Sequence, residues 1–240
     1  TSAKVLPFDP LSGFQYWILP GNCPPDFPHQ ELHNRAFDQW RVFWTEVMQQ
    51  VAGERVRTED FWRQRIISVL TRGNEIAAIH LYSFFNLDSQ AALAHSYIRN
   101  YYDEADLNHL RSLGVNSVMS MEYLTVNPEF RNRTLGFPIA SLLIALGAQI
   151  FKASGYDAAV APCRTDLKVD VRAAELGCQT ISESYVYHNF PVINMALLKN
   201  RLRPHPDERV NLAIHDLWAR RRDISGFPFQ TIENQTKKSA

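Results

Sequence analysis

Residues 137–154 read Phe-Pro-Ile-Ala-Ser-Leu-Leu-Ile-Ala-Leu-Gly-Ala-Gln-Ile-Phe-Lys-Ala-Ser, apolar around nearly the whole circumference of a helix. A helix with so little polar surface must be buried, and its neighbours predict burial against a sheet. The apolar stretch 137–151 is interrupted by Ser141 and Gln149 and falls short of the roughly 20 residues that cross a bilayer. No transmembrane segment is therefore expected, and Gly155 is placed to close the helix.

The flanking segments predict an α/β body around it. Residues 1–28 carry Pro7, Pro10, Pro20, Pro24, Pro25 and Pro28, a pattern expected to exclude a long helix or a central strand and to give an irregular arm. From 29 to 51, Leu32, Phe37, Trp40, Phe43, Trp44, Val47 and Met48 fall on one stripe at three- and four-residue spacings, which predicts a helix stopped by Gly53. A second helix is expected over 59–70, a strand over 75–85, a helix over 91–113 and a strand over 115–126. Beyond the apolar helix come a strand at 158–160, a helix at 166–176 and strands at 180–187 and 192–198. The last helix spans 206–222, with Asp207 and Glu208 in its first turn and Arg220, Arg221 and Arg222 in its last, matching the helix dipole. The order predicts one mixed sheet covered by helices: a single domain over 29–229, an arm over 1–28 and a polar tail over 230–240.

Charge and cysteine content narrow the function classes. Lysine plus arginine and aspartate plus glutamate number 25 each, so no net positive charge points to nucleic acid. Three cysteines, Cys23, Cys163 and Cys178, are odd in number and widely spaced, which argues against a disulfide framework and for a reducing, cytoplasmic setting. The N-terminal residues lack the pattern of a secretory signal. His29 and His33 stand at i, i+4 without a convincing third ligand, so no metal is expected.

The chemistry-bearing segment is 121–138, Met-Glu-Tyr-Leu-Thr-Val-Asn-Pro-Glu-Phe-Arg-Asn-Arg-Thr-Leu-Gly-Phe-Pro. A strand enters a turn-rich loop, and the apolar helix begins immediately afterwards. A helix start offers unpaired N–H groups and the positive end of a dipole, which favours a phosphate or pyrophosphate. Gly136 lets the backbone approach closely, while Arg131 and Arg133 add positive charge.

Arg133-Thr134-Leu135-Gly136-Phe137-Pro138 resembles the Arg/Gln-x-x-Gly-x-Gly/Ala pyrophosphate loop of the GCN5-related N-acetyltransferase superfamily, and Val126-Asn127-Pro128-Glu129-Phe130-Arg131 resembles its usual entry. The likeness extends over roughly 75–198, with residues 158–163 similar to the fifth strand and residues 171–178 similar to the late helix. Pro138 replaces the family's small residue, and two extra residues lie between Val126 and Gly136. The resemblance implies a mixed, mostly antiparallel central sheet flanked by helices, with extra N-terminal helices outside it. It also implies an acyl-CoA or acetyl-CoA cosubstrate, with acyl carrier protein as the other donor, and an amine or amino acid acceptor. Leu124, Thr125 and Val126 would meet the donor's pantetheine, and Arg131, Arg133, Thr134, Leu135, Gly136 and Phe137 its phosphates.

For catalysis the resemblance points to Glu122 as general base, and the other reading of Glu122 is a structural carboxylate paired with a neighbouring Arg or His. The family's frequent acid, a tyrosine in the late helix, is Ala173 here. Tyr187 and His188 are placed at a strand turn facing the acceptor, where His188 suits proton shuttling or is simply a surface residue. Cys163 raises a covalent acyl-enzyme, against the family's rule of direct transfer. The N-terminal aromatic helices resemble the enlarged front halves of N-acyl amino acid and acyl-homoserine lactone synthases. On that likeness Trp40, Phe43, Trp44, Phe84 and Phe85 would line an acyl tunnel or else pack the core. The competing function is a non-catalytic module of the same fold that binds an acyl-CoA or a protein partner.

Overall fold

The computed structural model describes residues 11–131 and 135–230. Two mostly antiparallel sheets make the body. The first has the order β11-β1-β2-β3-β6, built from β1 (Phe14–Pro20), β2 (Ile66–Arg72), β3 (Glu75–Tyr82), β6 (Glu122–Val126) and β11 (Arg222–Asp223). The second has the order β4-β5-β7-β10-β8, from β4 (Phe84–Asn86), β5 (Ser117–Ser120), β7 (Ala158–Arg164), β8 (Gln179–Thr180) and β10 (Phe190–Leu198), with β9 (Tyr185–Tyr187) also on β10. Among the described residues, only β1 with β11 and β5 with β7 pair in parallel.

The arm expected over 1–28 is corrected: residues 14–20 form β1, inside the first sheet between β11 and β2. The prolines bracket the strand, since the run from Phe14 to Leu19 contains none and Pro20 falls at its last position. The helix expected over 59–70 is also corrected. It stops after one turn, α2 (Glu59–Trp62), and Ile66-Ile67-Ser68-Val69-Leu70 is strand, buried on both faces. The single helix expected over 91–113 is three, α3 (Gln90–Leu93), α4 (Ser96–Tyr101) and α5 (Glu104–Ser112), each started by a side chain that accepts a backbone N–H: Ser89, His95 and Asp103. The tail expected over 230–240 lies outside the described residues except for Gln230, whose N–H donates to the Ala153 carbonyl at 2.8 Å.

The strands expected over 75–85 and 115–126 each divide between the two sheets, as β3 and β4 and as β5 and β6, the strand expected over 180–187 divides into β8 and β9, and the last helix, expected over 206–222, spans Glu208–Ala219 with Arg222 in β11; the helices expected over 29–51 and 137–154 are found. Helix α1 (Gln30–Ala52) ends on Gly53 in the left-handed conformation and covers the first sheet through Leu32, Ala36 and Trp40. Helix α6 (Ile139–Ser154) is buried over almost its whole length, against Tyr82, Met119 and Ala159 on one side and Leu217 of α8 (Glu208–Ala219) on the other. Short α7 (Val169–Glu175) packs by β7. Among the described residues no helix is long and apolar enough to cross a membrane, and none of their His, Cys, Asp and Glu side chains cluster as a metal site.

Candidate active site

The two sheets are joined by one run of chain that changes partners. Val118, Met119 and Ser120 pair in parallel with Ala158, Ala159 and Val160, and the Met121 N–H reaches the Val160 carbonyl at 2.9 Å. One residue later the chain pairs with β3 instead, Glu122 opposite Leu81 and Thr125 opposite Ile79. Between these points it bulges. Tyr123 has φ +54°, and Thr125 holds the distortion by donating its hydroxyl to the Tyr123 carbonyl (2.9 Å) while accepting the Trp44 indole N–H (2.8 Å). Beyond Val160, β7 pairs among the described residues only with β10. A wedge-shaped cleft therefore opens between β6 and the Pro162 to Arg164 end of β7, with Glu122 and Tyr123 on one wall, Pro162 and Arg164 on the other, and Trp44 and Met48 of α1 above.

An ion network floors this cleft. Glu122 is buried, and its carboxylate accepts from Ser120 Oγ (2.6 Å), Arg63 (2.5 Å) and Gln64 Nε2 (3.2 Å). Arg63 Nε also donates to Asp60 Oδ1 (3.1 Å), and Asp60 Oδ2 accepts the Tyr123 hydroxyl at 2.7 Å. Burial raises the Glu122 pKa although Arg63, Ser120 and Gln64 pull it down. For Arg63, burial disfavours the charge, and Glu122 and Asp60 more than restore it. Two carboxylates thus share one guanidinium. Of the two, Asp60 is the reachable one: 22% of its side chain is exposed, against 3% for Glu122.

The rim is closed by the β9–β10 hairpin. His188 and Asn189 have φ +47° and +61°, the two-residue turn that suits a tight hairpin. His188 Nδ1 lies 3.0 Å from Glu54 Oε2, and Asn189 Nδ2 donates to the Val51 carbonyl at 2.9 Å, so the tip is tied to the end of α1. The Tyr187 ring packs at a tilt against Tyr101, 4.5 Å between ring centroids. Arg55 and Arg57 also line the cleft, exposed, and their guanidinium groups form no ion pair among the described residues.

The structure therefore brings together Glu122, Tyr187 and His188, three residues expected from sequence. Asp60 and Arg63 were missed, because the segment holding them reads as an ordinary amphipathic helix; the signal was a carboxylate and an arginine at i, i+3 immediately before an apolar strand. Of the five aromatic residues expected to line a tunnel, only Trp44 lines the cleft. Trp40 is a core residue, Phe43 packs edge-on against Trp44, Phe84 stacks on Phe227 and Phe85 on Tyr97. Cys163 alternates with Pro162 and Arg164 on β7 and is buried against Ala173 and Met195, and burial pushes its thiol up, so it is no cleft nucleophile.

On the other side of β6 lies the loop expected to hold the donor. Thr125 is buried as a side chain, leaving its backbone for that role, while Leu124 and Val126 are partly buried. Asn127 caps a turn over Pro128–Phe130 by accepting the Glu129 N–H, Arg131 is exposed, and Arg133 and Thr134 lie outside the described residues. The Leu135 N–H is used within the loop, donating to the Arg131 carbonyl at 3.0 Å. Gly136 has φ +71° and stands exposed. The Phe137 ring is buried in the main core, leaving its backbone for the loop. Pro138 is the N-cap of α6, so the helix starts at Ile139 rather than at 137.

Two mixed sheets that diverge along one run of chain, from β5 into the bulged β6, with a loop leading from β6 towards a buried helix, have the GCN5-related N-acetyltransferase fold. Among solved structures, FeeM, an N-acyl amino acid synthase from uncultured soil microbes, superposes with a TM-score of 0.54 at 14% identity, over 77% of this chain and 89% of that one. BjaI, a CoA-dependent acyl-homoserine lactone synthase solved with SAM and isopentyl-CoA, gives a TM-score of 0.53 at 10% identity, over 88% and 93%. At such identities the likeness establishes the fold alone. No protein-family model matches the chain, and no curated protein sequence does either.

Proposed function

We propose that this protein transfers an acyl group from a pantetheine thioester, acyl-CoA or its carrier-protein equivalent, directly to the amine of a small acceptor. The observation that carries the reading is the cleft itself: β6 and β7 part immediately beyond Ser120 and Val160, and a carboxylate-rich floor stands where they part. The free edge of β6 at Leu124, Thr125 and Val126 is free to pair with pantetheine amides. The loop from Arg131 to Gly136 and the start of α6 supply positive charge and a helix N-terminus for the phosphates.

Acyl transfer needs a neutral amine, a destination for its proton and polarisation of the thioester carbonyl. The floor suits the second requirement: an amine that attacks in its neutral form gives its proton to Asp60, which Glu122 backs across Arg63. Glu122 acts at one remove, because Ser120, Arg63 and Gln64 surround its oxygens. The unpaired Arg55 and Arg57 at the rim favour an acceptor that also carries an anion, which an amino acid does. Tyr187 and His188 form the acceptor-side wall.

The test is thermal shift with a series of CoA thioesters of increasing length, followed by free-thiol release against a panel of amines and amino acids. Stabilisation with thiol release only when an amine is present is the expected result. Stabilisation without release under any acceptor would replace catalysis with a binding module, and no response to any thioester or acyl carrier protein would remove the donor site.

A further inference from the structure

Transfer to an amine leaves a thiolate that must be protonated or expelled as an anion, and the late-helix position that carries the family's frequent acid is Ala173 here, buried against Cys163 and Met195. The cleft offers another hydroxyl. Tyr123 lies at the bulge where β6 leaves β7, lines the cleft, and donates its hydroxyl to Asp60 Oδ2 at 2.7 Å. Its ring is held edge-on by Trp40 (5.4 Å) and Trp44 (5.1 Å), and its carbonyl is pinned by Thr125. Asp60 in turn is oriented by Arg63 Nε at 3.1 Å.

We infer that Asp60 and Tyr123 act as one proton relay, Asp60 taking the proton of the attacking amine and Tyr123 delivering a proton to the departing sulfur. This rests on the acyltransfer reading above and supplies the acid that reading lacks. In the resting state Tyr123 donates to the Asp60 carboxylate, so its proton is engaged. Once the amine attacks the thioester carbon and its proton passes to Asp60, the carboxyl becomes the donor to the Tyr123 oxygen. The tyrosine proton is then released towards the sulfur as the C–S bond breaks, and Tyr123 recovers a proton from Asp60. One C–N bond has formed and one C–S bond has broken. The amine has lost one proton, the thiolate has gained one, and both side chains return to their starting states.

The relay predicts a dependence on the leaving group that a structural role does not. Tyr123→Phe keeps the ring against both tryptophans and removes only the hydroxyl. Its kcat with an acyl-CoA, whose alkyl thiolate is a strong base, is expected to fall by about a hundredfold or more. With the 4-nitrothiophenyl ester of the same acyl group, whose aryl thiolate leaves unprotonated, kcat is expected to stay within about threefold of the wild type, as uncatalysed departure suffices. Asp60→Asn, which keeps a hydrogen bond to Tyr123 but cannot pass a proton on at neutral pH, provides an independent variant should Tyr123→Phe not fold. Its loss should likewise be larger for the CoA donor, because the tyrosine proton is then not replaced. Equal slowing of both donors, or no slowing, in a folded variant of an active wild type overturns the relay and leaves acyl transfer standing. A wild type that releases no thiol from any donor with any amine overturns both.

Discussion

Removing the Arg63 guanidinium should expose how the cleft floor is held together. In Arg63→Met the Glu122 carboxylate, with only 3% of its side chain exposed, keeps Ser120 and Gln64 but loses its one countercharge. Breaking a buried pair from one side typically costs about 3–5 kcal/mol, because an uncompensated charge stays in the interior. Asp60 loses the same partner but reaches solvent, so it adds little. The cost depends on pH in a defined direction. Burial already raises the Glu122 pKa in the folded protein above its unfolded value, and losing Arg63 raises it further. Between the two values the folded state binds more protons, so its stability falls as pH rises through that window. Arg63→Met should therefore be less destabilised at pH 5 than at pH 8. Adding Glu122→Gln removes the stranded charge, and the double variant should recover about 2 kcal/mol or more of the loss at pH 8. Urea denaturation of the wild type, both single variants and the double variant at the two pH values gives the cycle. Free energies that add to within about 0.5 kcal/mol would refute the coupling.

Two further outcomes follow from particular side chains. His80 is buried in β3, its Nδ1 has no hydrogen-bond partner among the described residues, and burial drives its pKa down to about 3 from 6.5. Only the unfolded chain then takes up a proton between pH 6.5 and 3, so His80 lowers stability as pH falls, by about 2 kcal/mol between pH 7 and pH 5; His80→Leu should flatten that slope, and parallel slopes in denaturation would show that the ring titrates normally. Gly136 has room for a side chain but φ +71°. Gly136→Trp should cost roughly 1–2 kcal/mol in backbone strain, lowering Tm by about 2–8 °C, and should abolish CoA binding by calorimetry; unchanged affinity in the folded variant would exclude the loop.

The sequence by itself determined that the helix within residues 137–154 is buried over most of its length, that Gly53 and Gly155 close their helices, and that a strand and a loop lead into the apolar helix. Those features are local: apolar periodicity and left-handed glycines declare themselves within a few residues. It also pointed to Glu122, Tyr187 and His188, which the fold gathers around one cleft. Short-range signals failed where the outcome depends on a distant partner. The run from Ile66 to Leu70 has the composition of either element until β1 and β3 supply edges to pair with, and β1 itself is hidden among prolines that only bracket it. The ion network required the tertiary structure most of all. Asp60 and Arg63 stand about sixty positions from Glu122 and Tyr123, and no periodicity relates residues whose proximity comes from a single turn of helix packed against a bulged strand. Sequence placed one carboxylate beside the donor loop; the fold decided that it shares its guanidinium with a second, more accessible one.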